Sequence, residues 1–234
     1  MTSELYDFFN NLHLRINSKD LQRRYKSMQP VPYLVLDNFL PEAVLQQVAK
    51  ETTNIPKHFW NEFTKGGSYT KEGKAFHLAP TIQTLVHCFN SGVFINWLEG
   101  ITGKHKLISD PHLVGGGLST CGNGKSLKLH TDFNWNDELA LNREVNLMMY
   151  INPVWDAAWG GGLELWNLDK SSINTTIHTR PNRLLIWDHD ERLVHGYPEP
   201  INCPDDQYRT NLRIFYYSSN SVPNHTPHPS LGVS

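Results

Sequence analysis

Apolar residues recur along the chain first at a helical spacing and later with the alternation of strands. Residues 3–28 mix Leu, Phe and charged side chains in a helix-like period. The run YLVLD at 33–37 reads as a strand. Pro41 then stands in the first turn of a helix reaching to about Glu51, a position where proline is tolerated. The stretch 54–76 is polar, carries Gly66, Gly67 and Gly73, lacks a period and reads as a mobile loop. Residues 79–100, APTIQTLVHCFNSGVFINWLEG, read as two helices broken near Ser91-Gly92. From Lys106 onward short apolar segments alternate with Gly, Asn, Asp and Pro turns, the pattern of a β-sandwich or jelly roll. The fold class is therefore α+β, mainly β. The expected organisation is a helical region with one early strand over 1–105, a β domain over 106–218 and a flexible Ser/Pro/Asn-rich tail over 219–234, together one structural domain.

One strand gives a more specific expectation. In EVNLMMYI, Val145, Leu147, Met149 and Ile151 fall on one face, and Glu144, Asn146, Met148 and Tyr150 on the other. The apolar face suits packing under the early helices. The mixed face then looks into the β core, where each unpaired polar group would cost about 1–3 kcal/mol. A bound anion and metal would supply the missing partners.

Composition narrows the class. The chain has 234 residues, 39% hydrophobic and 11% aromatic, enough to bury a sizeable core. A net charge of −2 and no long basic run argue against nucleic acid as the main partner. No apolar run has the length of a membrane span, and the acidic, amide-rich N-terminus MTSELYDFFNN does not read as a secretory signal. Cys88, Cys121 and Cys203 form no CxxC pair and no disulfide framework, which fits a reducing, cytoplasmic setting. A monomer or a homodimer is expected.

The candidate chemistry lies in KLHTDFN and RLVHGYP. His130 and Asp132 are two apart, so on an extended segment they project to one side. His195 from a neighbouring strand would complete a face of two histidines and one carboxylate, the ligand set of non-haem Fe(II) oxygenases. Histidine also pairs with nearby carboxylates in many structural settings, and the chain has 12 histidines. Further along, RTNLRIFYY has a strand's composition, with Arg209, Asn211, Arg213 and Phe215 on one face. A guanidinium near a metal suits a dicarboxylate through paired, charge-assisted contacts. The alternative is an arginine at a strand end reaching solvent.

Beyond these residues, the stretch from Lys106 to Ser218 resembles the Fe(II)- and 2-oxoglutarate-dependent dioxygenases of the prolyl 4-hydroxylase-like branch. The resemblance rests on CGNGKSLKLHTDFN, on VNLMMYINPVW followed by GGGLELW, on NRLLIWDHDERLVHG and, near the N-terminus, on PYLVLDNFLPEAVLQQVAKE. It implies a double-stranded β-helix (jelly roll) core with the N-terminal helices on its outer face. It implies Fe(II) held by His130, Asp132 and His195, and 2-oxoglutarate as co-substrate anchored by Arg209, with Tyr150 and Asn211 assisting. It also implies O₂ as oxidant, ascorbate as a stimulant and hydroxylation of a C–H bond, since the carboxylate absent from halogenating relatives is present as Asp132. Departures occur at Thr120, where relatives have tyrosine, and at Arg213 and Phe215, which replace a small polar residue and a tryptophan. Arg143 matches a basic position beside the relatives' substrate proline.

Arg143, Arg213 and the turn holding Phe133 and Trp135 are accordingly expected around the substrate mouth. For Arg143 the plain alternative is a strand cap meeting Glu144 or Asp137. The favoured substrate is a prolyl residue in a peptide or protein. A small metabolite (free amino acid, sugar or antibiotic precursor), a non-catalytic 2-oxoglutarate and metal sensor, and a jelly-roll interaction protein with incidental histidines remain as alternatives.

Overall fold

The structure is a computed structural model that describes residues 2–15, 18–63, 70–73, 79–219 and 225–233. The N-terminal period produces three helices, α1 (Thr2–Asn10), α2 (Leu12–Arg15) and α3 (Ser18–Ser27), followed by β1 (Tyr33–Leu36) and α4 (Glu42–Asn54), with Pro41 as its N-cap. The expected break at Ser91-Gly92 separates α5 (Pro80–Phe89) from α6 (Gly92–Thr102). Its cause is local: the Ser91 hydroxyl accepts from the Phe94 N–H and caps α6. Gly103 closes the same helix at φ +74°, a left-handed conformation that glycine adopts without penalty.

The start of α5 has no cap of its own. Ala79 offers no side-chain acceptor. Glu51 of α4 supplies one instead: its Oε2 accepts from the N–H groups of Thr81 and Ile82 at 2.9 and 3.1 Å. Both bonds are buried, so Glu51→Ala strands two donors and should lower stability by about 1–3 kcal/mol. Chemical denaturation measures this, and an unchanged midpoint would show that water substitutes for the carboxylate.

The remaining chain forms two antiparallel sheets. Their strands are β2 (Trp60–Phe63), β3 (Thr70–Gly73), β4 (Ile108–Ser109), β5 (Gly117–Cys121), β6 (Leu127–Thr131), β7 (Trp135–Asn136), β8 (Leu141–Tyr150), β9 (Leu163–Trp166), β10 (Ile173–Ile177), β11 (Leu184–Asp188), β12 (His195–Tyr197), β13 (Arg209–Ser218) and β14 (Leu231–Gly232). The larger sheet runs β1-β11-β8-β13-β5-β3-β2, with β4 on β13 and β7 on β8. The smaller runs β10-β9-β12-β6-β14. This is a mainly β jelly roll with helices on its outer face.

The two faces of β8 divide as the alternation suggests. Val145, Leu147, Met149 and Ile151 join the helical residues in one core. There Phe9, Phe89 and Phe94 meet edge-on or tilted, with Phe89 4.9 Å from Phe94. Such ring pairs add about 0.5–1.5 kcal/mol each beyond simple burial. Met148 and Tyr150 turn the other way, into a second core between the sheets with Leu163, Leu165 and Tyr197. The functional residues sit at the polar end of that second core.

Two segments differ from the sequence pattern. Within 54–76, β2 and β3 pair antiparallel, and β3 extends the large sheet beyond β5; residues 64–69 and 74–76 lie outside the described residues. The tail is not loose throughout. β14 pairs with β6, Gly232 opposite His130, and the Val233 N–H donates to the Leu129 carbonyl. Both pairings join an edge strand through its backbone, which needs little apolar periodicity. Among the described residues, no helix is long and apolar enough to cross a membrane.

Candidate active site

His130 is the penultimate residue of β6, and His195 opens β12 directly opposite it in the ladder. Their rings lie 4.5 Å apart. Gly196 lets the strands press this close: a Cβ there would stand 2.8 Å from the Leu127 carbonyl oxygen and 2.9 Å from that of Lys128. Asp132 follows one residue beyond β6. Its Oδ1 lies 3.7 Å from His130 Nε2, and its Oδ2 3.5 Å from His195 Nε2. One ligand atom from each of the three residues falls within 4.8 Å of the others, the only such His/Cys/Asp/Glu group among the described residues.

The ring orientations suit a metal. His130 Nδ1 faces the Lys128 carbonyl at 2.9 Å, and His195 Nδ1 faces that of Leu193 at 3.2 Å. A carbonyl at Nδ1 fixes the tautomer with its proton there and leaves the Nε2 lone pair toward Asp132. Burial and the nearby His130 push His195 down to about 4 against the pull of Asp132, so it is neutral at pH 7. Burial alone would raise the Asp132 carboxyl; Arg143, then His195 and His130, overcome it and hold it well below the usual carboxylate range. The result is a donor set of two imidazoles, each with Nε2 turned inward, and one carboxylate. That set fits a divalent first-row metal with positions left open.

Behind the triad, in the second core, lies Arg209, 2% exposed at the start of β13. Its Nε donates to the Gly161 carbonyl at 2.7 Å and to Thr179 Oγ1 at 3.2 Å, and its Nη2 to the Tyr150 hydroxyl at 3.0 Å. The Tyr197 ring lies 4.3 Å below the guanidinium carbon. Gly161 makes room for this packing: at φ +73°, a Cβ would meet Arg209 Cδ at 2.9 Å. No carboxylate pairs with Arg209 among the described residues. A buried charge without a counter-charge is costly, and a dicarboxylate ligand removes the cost. Asn211, opposite Tyr150 in the ladder, leaves its buried Oδ1 without a partner. These residues fit the far carboxylate of 2-oxoglutarate.

The residues expected at the substrate mouth separate. Arg143 does not reach an open mouth, nor does it cap the strand against Glu144 or Asp137. Its side chain is 1% exposed and bonds Asp132 Oδ2 at 2.8 Å. The strand alternation puts residue 143 on the apolar side of the count, but a bulge opposite Tyr216 and Tyr217 interrupts the register there. Phe133 is half-buried over Arg143 and edge-on to Phe215 at 5.8 Å. Arg213 stands between Asn211 and Phe215 on β13, opposite Met148. Trp135 pairs with Asn142 at the edge of β8 and is half-buried. Thr179 and Gly161, which hold Arg209, carry no motif that marks their role in advance; the sequence shows only the Gly-rich run.

Comparison with known proteins bears on this arrangement. Residues 116–217 match the family model described as the 2OG-Fe(II) oxygenase superfamily. The matched span carries every residue of the triad together with Tyr150 and Arg209. These residues form a 2OG-Fe(II) oxygenase domain. The oxygenase chain also shares its fold with solved structures. A prolyl hydroxylase from Trichoplax adhaerens, in complex with a hypoxia inducible factor peptide fragment, superposes with a TM-score of 0.63 at 19% identity, over 88% of this chain and 92% of that one. A prolyl 4-hydroxylase from Phytophthora capsici gives 0.62 at 18% identity, over 92% and 67%. HygX from Streptomyces hygroscopicus, with nickel and 2-oxoglutarate bound, gives 0.57 at 10% identity, over 86% and 89%. No curated protein matches the sequence. Residues 116–217 thus match a family of Fe(II)- and 2-oxoglutarate-dependent oxygenases.

Proposed function

We propose that the chain is a 2-oxoglutarate-dependent hydroxylase acting on a prolyl residue in a peptide or protein. His130, Asp132 and His195 hold Fe(II). Arg209, with Tyr150 and Asn211, holds the C5 carboxylate of 2-oxoglutarate. The observation that carries the reading is the pairing of two features in one part of the fold. Three ligand atoms converge within 4.8 Å, and a buried arginine, packed on Tyr197 two positions from His195, has no acid of its own among the described residues.

Bound Fe(II), with 2-oxoglutarate and O₂, supplies the oxidising power that converts a C–H bond to C–OH while 2-oxoglutarate becomes succinate and CO₂. The chain supplies placement. The Nδ1–carbonyl contacts hold both imidazoles with Nε2 inward. Gly161 and Thr179 lock the Arg209 guanidinium so that its charge meets one end of the dicarboxylate. Tyr150, which accepts from Arg209, has its own O–H to give to the same carboxylate. The ordered site spends little orientation entropy when the co-substrate enters.

The prolyl assignment is supported by likeness in fold to prolyl hydroxylases. The second reading, hydroxylation of a small metabolite, is favoured by the likeness to HygX, which has been solved with hygromycin B bound. The free state of Cys88, Cys121 and Cys203 supports a cytoplasmic location. Residues 1–105, 106–218 and 219–234 act as one domain in this reading, because α1, α5 and α6 share the core of the large sheet. The test offers proline-containing peptides and a metabolite extract to the enzyme with Fe(II), 2-oxoglutarate and O₂. A mass gain of one oxygen on a prolyl residue is the expected result. Oxygen gain confined to a small molecule overturns the prolyl assignment.

A further inference from the structure

Two guanidiniums are buried near the triad, and they differ in their partners. Arg209 has only neutral oxygens around it. Arg143 is spent on Asp132. Its Nη2 bonds Oδ2 at 2.8 Å, and its Nε donates to Asn146 Oδ1 at 2.6 Å, both inside the protein. Two rings press on it as well. The Phe215 ring lies 3.5 Å from the guanidinium carbon and the Phe133 ring 4.5 Å from it, and the two rings are edge-on to each other. A side chain bonded at two edges and packed in the corner of two rings is restrained from following a moving partner.

We propose that Arg143 is a positioning residue that keeps Asp132 a one-oxygen ligand. By bonding Oδ2 at 2.8 Å, it leaves Oδ1 as the oxygen for the metal. A carboxylate free to turn can present both oxygens and take one coordination position more, as aspartate does on other cations. That extra position is one the co-substrate needs, because 2-oxoglutarate binds through two atoms. Arg143 therefore protects co-substrate binding rather than metal binding. Asn146 and the two rings hold Arg143 at the angle this requires. Lysine cannot replace it fully, since a point donor lacks the planar fork that reaches Asp132 and Asn146 together.

The inference rests on the metal site proposed above, and the two can fail separately. Apo-protein is titrated calorimetrically first with Co(II) and then with 2-oxoglutarate, without O₂. Folding is checked by circular dichroism, and Co(II) absorption is recorded as a signature of coordination. In Arg143→Met, Co(II) should bind as tightly as in wild type or more tightly. Affinity for 2-oxoglutarate on the Co(II) protein should fall at least about tenfold, equivalent to about 1.4 kcal/mol. The Co(II) spectrum should change before any 2-oxoglutarate is added. Arg143→Lys should lie between Met and wild type. Asn146→Ala removes one restraint while keeping the arginine, so it should weaken 2-oxoglutarate in the same direction but less, and it stands in if Arg143→Met does not fold. Wild-type spectra and 2-oxoglutarate affinity in the folded variants overturn the inference, as does a loss confined to Co(II) binding. Failure of wild type itself to bind Co(II) would instead overturn the metal site beneath it.

Discussion

Asp132→Ala should abolish succinate production and weaken divalent metal binding by more than about a hundredfold, beyond the range found when only a supporting partner is lost. The carboxylate is the only anionic donor of the triad, and the two ligands left behind are both imidazoles. The same change should also destabilise the fold. Arg143 would keep its burial and lose its counter-charge, and breaking a buried pair from one side costs about 3–5 kcal/mol. The two effects are separable. Metal titration at low temperature reads the first, and a denaturation midpoint reads the second. Full metal affinity with full succinate production in Asp132→Ala would remove Asp132 from the ligand set.

Arg209→Ala should raise the 2-oxoglutarate requirement by about ten- to a hundredfold, while Arg213→Ala changes it much less. The estimate follows from losing a charge-assisted contact of about 1.5–3 kcal/mol. Arg209 is fixed by Gly161, Thr179 and Tyr150 and has no acid partner among the described residues. Arg213 sits four positions further along β13, toward Phe215 and Arg143. Gly161→Val should act in the Arg209→Ala direction, because its added carbons meet Arg209 Cδ. A titration in which Arg213→Ala is the damaging change would reverse the assignment.

The parts of this molecule that the sequence makes legible are those written in side-chain period or in local caps. The alternation of β8 tells which residues face the helices and which face the second core. The Ser91-Gly92 break is visible because a hydroxyl beside a glycine favours a helix start. His130 and Asp132 are readable because two residues on one extended segment share a side; His195 is readable through the resemblance of NRLLIWDHDERLVHG, and its pairing opposite His130 appears only in the fold. What the sequence hides is held by other forces. β14 joins β6 through backbone hydrogen bonds and carries exposed side chains, so no apolar pattern announces it. The partnership of Arg143 with Asp132 spans eleven positions and a turn, and the Phe133 and Phe215 rings that pack against it come from two different parts of the chain. The support of Arg209 by Thr179 crosses thirty positions from a loop after β10 to β13, and nothing local encodes it.

The most direct measurement is of the co-substrate itself. Purified protein is supplied with Fe(II), 2-oxoglutarate and O₂, and succinate is quantified beside Asp132→Ala and an O₂-free control. Wild-type protein should form succinate only when both Fe(II) and O₂ are present, and Asp132→Ala should form none above background. No succinate from wild-type protein under these conditions, or equal succinate from Asp132→Ala, would contradict the account.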